Sequence, residues 1–317
     1  MIDYALQQRR TRIRPTGRGK RKFLIVIFFF FLLWGIFGSI RTIFFNGESS
    51  AEKTVAGEST AQNESDSLKA AVDSALAGHE GEFGITIKNL KTNETYLLNE
   101  HKKFDSASLY KLWVMATVFE QINAGKLREQ QELQEEVSVL NEKFHIASES
   151  AELTEGTVEF TVSDALEKMI TISDNYAALL LTAQIRLSTV ATFLEQQGFK
   201  ESRVSRQDEN PETTASDIAF FFEKLYRSQL ADPATTEKML ALLRRQRLNE
   251  KLPNDLPEDV IIAHKTGELG TISHDSGIVY APQGDYIIVI LTDTKKPLEA
   301  NERIATISRG VYNYFSK

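Results

Sequence analysis

Runs with the alternating pattern of β-strands lie at both ends of the body of this chain, with helical periodicity between them, and that arrangement restricts the fold more than any other feature. Phe83 to Leu90 (FGITIKNL) and Thr95 to Leu98 (TYLL), joined by Lys91-Thr92-Asn93-Glu94, read as a hairpin. Far downstream, Val260 to Ala263, Ser276 to Ala281 and Tyr286 to Thr292 read as three more strands, with a turn at Pro282-Gln283-Gly284-Asp285. Apolar strand faces must be buried, so the two groups are expected to meet in one antiparallel sheet. Leu68, Val72, Ala75 and Leu76 before it, and Ile304, Ile307, Val311 and Phe315 after it, form helical stripes that would flank that sheet. Roughly residues 108–250 then look helical, in particular Leu112 to Ile122 (stopped by Gly125), Val162 to Met169, Asn175 to Ile185 and Asp217 to Tyr226. The fold class expected is α+β: a five-stranded antiparallel sheet with terminal helices and a central all-α lobe. A ligand cleft belongs between the lobes.

Upstream of this body the chain changes character. Phe23 to Ile40 is 18 residues without a charge, and Thr42 to Phe45 extends it beyond Arg41. At about 1.5 Å per helical residue this matches a bilayer core, so residues 23–45 are expected to form a transmembrane anchor. A cleaved signal peptide would have a shorter apolar stretch and a small-residue cleavage site, whereas Arg41 and Phe44-Phe45 follow here. Residues 1–22 carry eight Lys/Arg against Asp3, a basic tail expected on the cytoplasmic side, with the body outside a cell membrane crossed once. Residues 46–66, rich in Ser, Glu, Gly, Thr and Ala, read as a flexible linker to a domain spanning 67–317. The net charge of −7 conceals the split, because the part after residue 45 holds 43 acidic and 28 basic residues. Such an acidic body is poorly suited to nucleic acid. The lack of cysteine excludes disulfides, zinc–thiolate sites and cysteine nucleophiles.

Three short motifs carry chemistry. Ser108-Leu109-Tyr110-Lys111 stands where the strand–loop region passes into the apolar helix. Residues three apart share a helix face, so the Lys111 amine can reach the Ser108 hydroxyl, and free N–H groups at a helix start can stabilise an oxyanion. A lysine acts as a base there only if burial and nearby positive charge bring its pKa toward neutrality. Ser-x-x-Lys arises about once by chance in a chain of this length, and Ser50 to Lys53 matches it within the linker, where no core would desolvate the lysine. Ser173-Asp174-Asn175 enters the next apolar helix and reads equally as a helix cap. Lys265-Thr266-Gly267 follows the strand Val260 to Ala263 and reads equally as a strand ending in a turn. Their order is far more specific: the second motif begins 65 residues after Ser108, and the third 92 residues after Ser173.

With Phe104 to Ala107, Gly125-Lys126-Leu127 and Thr213 to Asp217, these motifs resemble the class A β-lactamase family over about three quarters of the chain, from Glu82 onward. The resemblance implies a β-lactamase/transpeptidase-like fold in which Ser108 attacks a carbonyl carbon with Lys111 as base. It implies that Ser173 passes a proton to the leaving nitrogen and that Asn175 bonds the substrate's side-chain amide. Lys265 would attract the substrate carboxylate and help keep Lys111 neutral, with Thr266 and Gly267 completing that strand of the site. The N–H groups of Ser108 and Glu268 would form the oxyanion hole, a contribution of ~10²–10³ in rate per donor. A carboxylate at Glu268 is unexpected beside an anionic substrate. No metal or cofactor is implied; the five histidines are scattered, and His264, next to Lys265, reads either as a modulator of that lysine or as a packed residue.

The departure lies in deacylation. The family carries a glutamate on an omega loop, in a Glu-x-x-Leu-Asn context, that activates the hydrolytic water. Here Arg203 to Thr213 (RVSRQDENPET) fills that space without the motif. Besides Glu201, Glu209 and Glu212 are the nearby glutamates and the candidate bases, but they read first as a solvated acidic turn around Pro211. Three functions follow: hydrolysis of β-lactams; a D-Ala-D-Ala peptidase, esterase or penicillin-binding enzyme with slow deacylation; or a non-catalytic wall-binding module. The substrate is expected to be a β-lactam or a cell-wall peptide, and the oligomeric state is not legible.

Overall fold

Tyr286 to Asp293 (YIIVILTD) is nearly continuous in apolar side chains because both faces of that strand are covered. Ile287, Val289 and Leu291 point into the helical lobe, while Ile288 and Ile290 pack with the terminal helices. The computed structural model describes residues 59–204 and 210–317; the basic tail (1–22), the apolar segment (23–45), linker residues 46–58 and Glu209 lie outside the described residues.

In chain order the elements are α1 (Ser59–Leu76), β1 (Glu82–Asn89), β2 (Thr95–Leu98), β3 (Phe104–Asp105), a 3₁₀ turn (Ala107–Leu109) and α2 (Tyr110–Asn123). There follow β4 (Glu132–Glu136), α3 (Val137–Lys143), β5 (Thr157–Thr161), α4 (Val162–Thr171), α5 (Asn175–Ile185) and α6 (Leu187–Gln197). The chain ends with β6 (Glu212–Thr213), α7 (Ala215–Tyr226), α8 (Pro233–Arg244), β7 (Ile261–Leu269), β8 (Ile272–Tyr280), β9 (Tyr286–Asp293) and α9 (Pro297–Phe315). The five-stranded sheet has the order β2-β1-β9-β8-β7 and is antiparallel throughout. The fold is thus the mixed α+β, β-lactamase/transpeptidase-like arrangement. One sheet face meets α1 and α9 through Leu68, Val72, Ile304, Ile307 and Val311. The other meets the helical lobe, whose core includes Leu112, Trp113, Leu181, Phe221 and Phe222. Side-chain caps start α4, α7 and α8: Thr161 accepts from Asp164 N, Thr214 from Asp217 N, and Asp232 from the N–H groups of Ala234 and Thr235, with Pro233 in the first turn.

The strands differ from the sequence expectation where polar residues are buried. β7 continues through Lys265-Thr266-Gly267 rather than ending before it, and β8 starts at Ile272 rather than Ser276. Backbone pairing across Lys265↔Ser276, Thr266↔Asp275 and Gly267↔His274 holds this stretch together without an apolar alternation to announce it. At Gly277, opposite His264, an added Cβ would lie 2.5 Å from Ala263 O and 2.7 Å from His264 Cβ, so the close pairing there requires glycine. The helical middle also contains the β4–β5 hairpin, and α1 starts at Ser59, inside the stretch read as linker.

Candidate active site

The 3₁₀ turn carrying Ser108 is braced from three sides. His274 Nε2 bonds Asp105 O at 2.9 Å, Ser106 N donates to Pro211 O at 2.7 Å, and Asn210 Nδ2 donates to Asp105 Oδ2 at 3.1 Å. β7 lies against the same turn at Gly267, where a Cβ would sit 3.2 Å from Ser106 O and 3.3 Å from Ala107 Cβ. The backbone carrying the N–H groups of Ser108 and Glu268 therefore belongs to two segments in direct contact. Ala107, just before the half-buried Ser108, has φ +44°, and Ser173 has φ +58°. Left-handed conformations cost a non-glycine residue of the order of 1–3 kcal/mol and persist only where the surroundings impose them; both motif serines are placed this way or follow such a residue.

Ser173 occupies its position because Asp174 caps α5, accepting from Ala177 N at 2.8 Å. Helix capping and site building are thus combined in one triplet. The left-handed turn presents Ser173 O and Oγ to Lys111, whose Nζ donates to them at 2.6 and 3.2 Å and to Asn175 Oδ1 at 2.7 Å. Lys265 Nζ approaches from β7, 3.0 Å from Ser173 Oγ and 2.8 Å from Thr266 O. Four of the expected residues, Lys111, Ser173, Asn175 and Lys265, thereby form one network. Ser108 is on the turn that leads into the helix of Lys111, and none of the Lys111 hydrogen bonds runs to it.

Both lysines are fully buried. Burial brings Lys111 down from 10.5 to about 7, against the pull of Asp174 and Glu152. Burial also lowers Lys265 well below its ordinary range, with the charge of Lys111 acting in the same direction and Asp275 opposing it. Two amines sharing one hydroxyl in a dry site cannot both keep their protons cheaply. A neutral amine within reach of a serine can accept a proton, and Ser173 Oγ joins the two amines as a relay.

Glu152, Asp275 and Lys251, which sequence reasoning did not single out, support the network and its surroundings. Glu152 accepts from Asn175 Nδ2 at 2.5 Å, so the Asn175 amide is engaged at both ends. Asp275, fully buried on β8, accepts from Leu252 N (3.0 Å) and Ser276 N (2.9 Å) and pairs with His264 Nδ1 at 3.0 Å. His264 is thus a packed residue turned to Asp275 and, through Nε2, to Asn249 (3.2 Å). Glu268 is held by Lys251 at 2.5 Å. No motif marks Glu152, Asp275 or Lys251; for Asp275 a charged residue beside an apolar strand was the signal available. Of the candidate deacylation bases, Glu212 is in β6, paired with β3, and its carboxylate lies 3.1 Å from Arg203 Nε and 3.8 Å from Lys103 Nζ. Among the described residues no group of three or more His, Asp and Glu is arranged to hold a metal ion.

Comparison with known proteins agrees with this fold. A family model described as the beta-lactamase enzyme family matches residues 67–315. Beta-lactamase VEB-1 of Pseudomonas aeruginosa is 22% identical over 275 residues, which span 80% of this chain and 91% of that protein. Extended-spectrum beta-lactamase PER-1 of the same organism is 24% identical over 271 residues, 78% of this chain and 87% of its own. Among solved structures, a beta-lactamase from Sphaerobacter thermophilus has a TM-score of 0.69 at 25% identity, covering 79% of this chain and 97% of its own. PBP-A has the same TM-score at 23% identity, covering 78% and 95%; a mutant of PBP-A has been solved as an acyl-enzyme complex with penicillin G.

Proposed function

The chain belongs to the beta-lactamase enzyme family, and from that premise we propose that this serine hydrolase opens the amide of β-lactam rings through an acyl-enzyme on Ser108, anchored to a membrane by residues 23–45. Lys111 removes the Ser108 proton as Oγ bonds to the carbonyl carbon. The N–H groups of Ser108 and Glu268 receive the developing oxyanion. Ser173, bonded to both lysines, delivers a proton to the ring nitrogen as the C–N bond breaks and regains one from Lys111. Asn175 receives the substrate's side-chain amide, displacing Glu152. Water then cleaves the ester and frees Ser108.

The observation that carries this reading is the buried Lys111, held near neutrality and bonded to Ser173 one helical turn beyond Ser108. Exposing the full chain to a chromogenic cephalosporin tests it: turnover should exceed that of a Ser108→Ala control by at least a hundredfold, and equal rates refute it.

A second reading, acylation with slow release, is favoured by one observation: Glu212 is engaged by Arg203 and Lys103, and Lys111 bonds no carboxylate. An enzyme of this kind would trap penicillins or turn over cell-wall D-Ala-D-Ala peptides. Intact-mass measurement after brief and long exposure to penicillin separates the two, since a persistent adduct on Ser108 means trapping and its rapid loss means hydrolysis.

A further inference from the structure

Lys251 is 1% exposed, yet among the described residues its ammonium has one hydrogen-bond partner, the carboxylate of Glu268, whose side chain is 59% exposed. A buried ammonium with three donors is ordinarily surrounded by acceptors. Here it is covered from outside by a surface side chain.

The surroundings place this cation on one face of β7. Thr266 and Glu268 are two residues apart on β7 and so share a face of the strand. Thr266 pairs across the sheet with Asp275, and Asp275 accepts from Leu252 N at 3.0 Å. The Lys251-Leu252 segment is thereby fixed beside Thr266. Lys265 precedes Thr266 on the strand and projects from its other face, with Nζ bonded to Thr266 O at 2.8 Å and to Ser173 Oγ at 3.0 Å. The charges of Lys251 and Glu268 both act on Lys265, with opposite signs. A hydroxyl and the buried Lys251 ammonium on one face of β7, the latter covered by one exposed carboxylate, make a site for an anion.

We propose that Glu268 is a built-in anion seated in this cation site, which an incoming carboxylate must displace, so that the enzyme discriminates against acyl donors bearing a carboxylate next to the scissile bond. Uncharged acyl donors, such as esters and thioesters, meet no such competition. The exposure of Glu268 lets its side chain swing out, so the discrimination is a matter of degree set by how strongly Lys251 holds it. The substrate part of this inference rests on acylation of Ser108; the anion-site part does not.

Two measurements on the full chain test it. In the first, thermal melts are followed against inorganic phosphate at constant ionic strength. Glu268→Gln should bind phosphate at least tenfold more tightly than the unaltered chain, a gain of about 1.4 kcal/mol, and Lys251→Met in the Glu268→Gln background should abolish the gain. In the second, labelling of Ser108 by a fluorescent penicillin is compared with turnover of an uncharged phenyl ester. Glu268→Gln should raise the penicillin-to-ester rate ratio at least tenfold. Equal phosphate affinities within twofold overturn the anion site, and an unchanged rate ratio overturns the discrimination. If phosphate behaves as expected while Ser108 is acylated by neither reagent, the anion site stands and the acyl-enzyme reading fails.

Discussion

Lys111 shows at the scale of one residue how function is set against stability. Its amine is useful because it is dry, and the same dryness works against the fold. Each unit of pKa displacement corresponds to about 1.4 kcal/mol. Bringing a lysine from 10.5 to about 7 therefore costs on the order of 4 kcal/mol at neutral pH, in full below pH 7 and vanishing as pH rises to the ordinary lysine value. Lys111→Met is expected to eliminate acylation, at least a thousandfold in labelling by fluorescent penicillin, and yet to raise stability by about 1–2 kcal/mol in denaturant melts, the loss of bonds to Ser173 and Asn175 offsetting the rest. In the unaltered protein the acylation rate should fall about tenfold per pH unit below pH 7, because the amine that must accept the Ser108 proton is then already protonated. A rate flat from pH 7 to pH 5 would assign the base elsewhere.

At the scale of elements, β8 positions the nucleophile. His274 accepts from Thr292 N through Nδ1 at 3.0 Å and donates through Nε2 to Asp105 O at 2.9 Å, tying β8, β9 and the segment before Ser108 together as a neutral imidazole. Burial depresses it to about 4. The unfolded chain takes up that proton near pH 6.5, so its contribution is complete above 6.5 and is lost as pH falls toward 4, by up to about 3 kcal/mol. His274→Gln should flatten the pH dependence of unfolding between 6.5 and 4; an unchanged slope would place the acid lability in other groups. The same elements explain what the sequence revealed. β9 and the stripes of α1 and α9 were legible because their side chains are apolar and periodic. The far part of β7 and the start of β8 were not, because Lys265, Thr266, Ser273, His274 and Asp275 are buried polar residues, and binary patterning reads such residues as surface. β4 (ELQEE) buries one side chain and β5 (TVEFT) only one fully, too little alternation to see. The motif residues were legible by order and spacing. Lys251, Glu152 and Asp275 were not, since their roles come from contacts made across the fold.

At the scale of the whole chain, the acidic body and the basic, apolar N-terminal stretch call for different surroundings. Eight cationic residues precede the 18 uncharged ones, and after residue 45 acidic residues outnumber basic ones. Anionic lipid headgroups attract the first part at about 1 kcal/mol per basic residue and repel the second. The proposed anchor therefore has two separable components, apolar insertion and electrostatic orientation. Introducing three arginines into the apolar stretch, as Phe28→Arg, Phe31→Arg and Leu33→Arg together, should release the protein from membranes after an alkaline wash, because each charge at the bilayer centre costs about 2.5–3.5 kcal/mol on insertion scales. Neutralising Arg9, Arg10, Arg12 and Arg14 should leave the protein in the alkali-resistant fraction but lower the share whose body is cleaved by protease added outside intact cells. Release of the unaltered chain by the wash, or a body protected from external protease, would refute the anchored arrangement while leaving the chemistry of Ser108 open to the tests above.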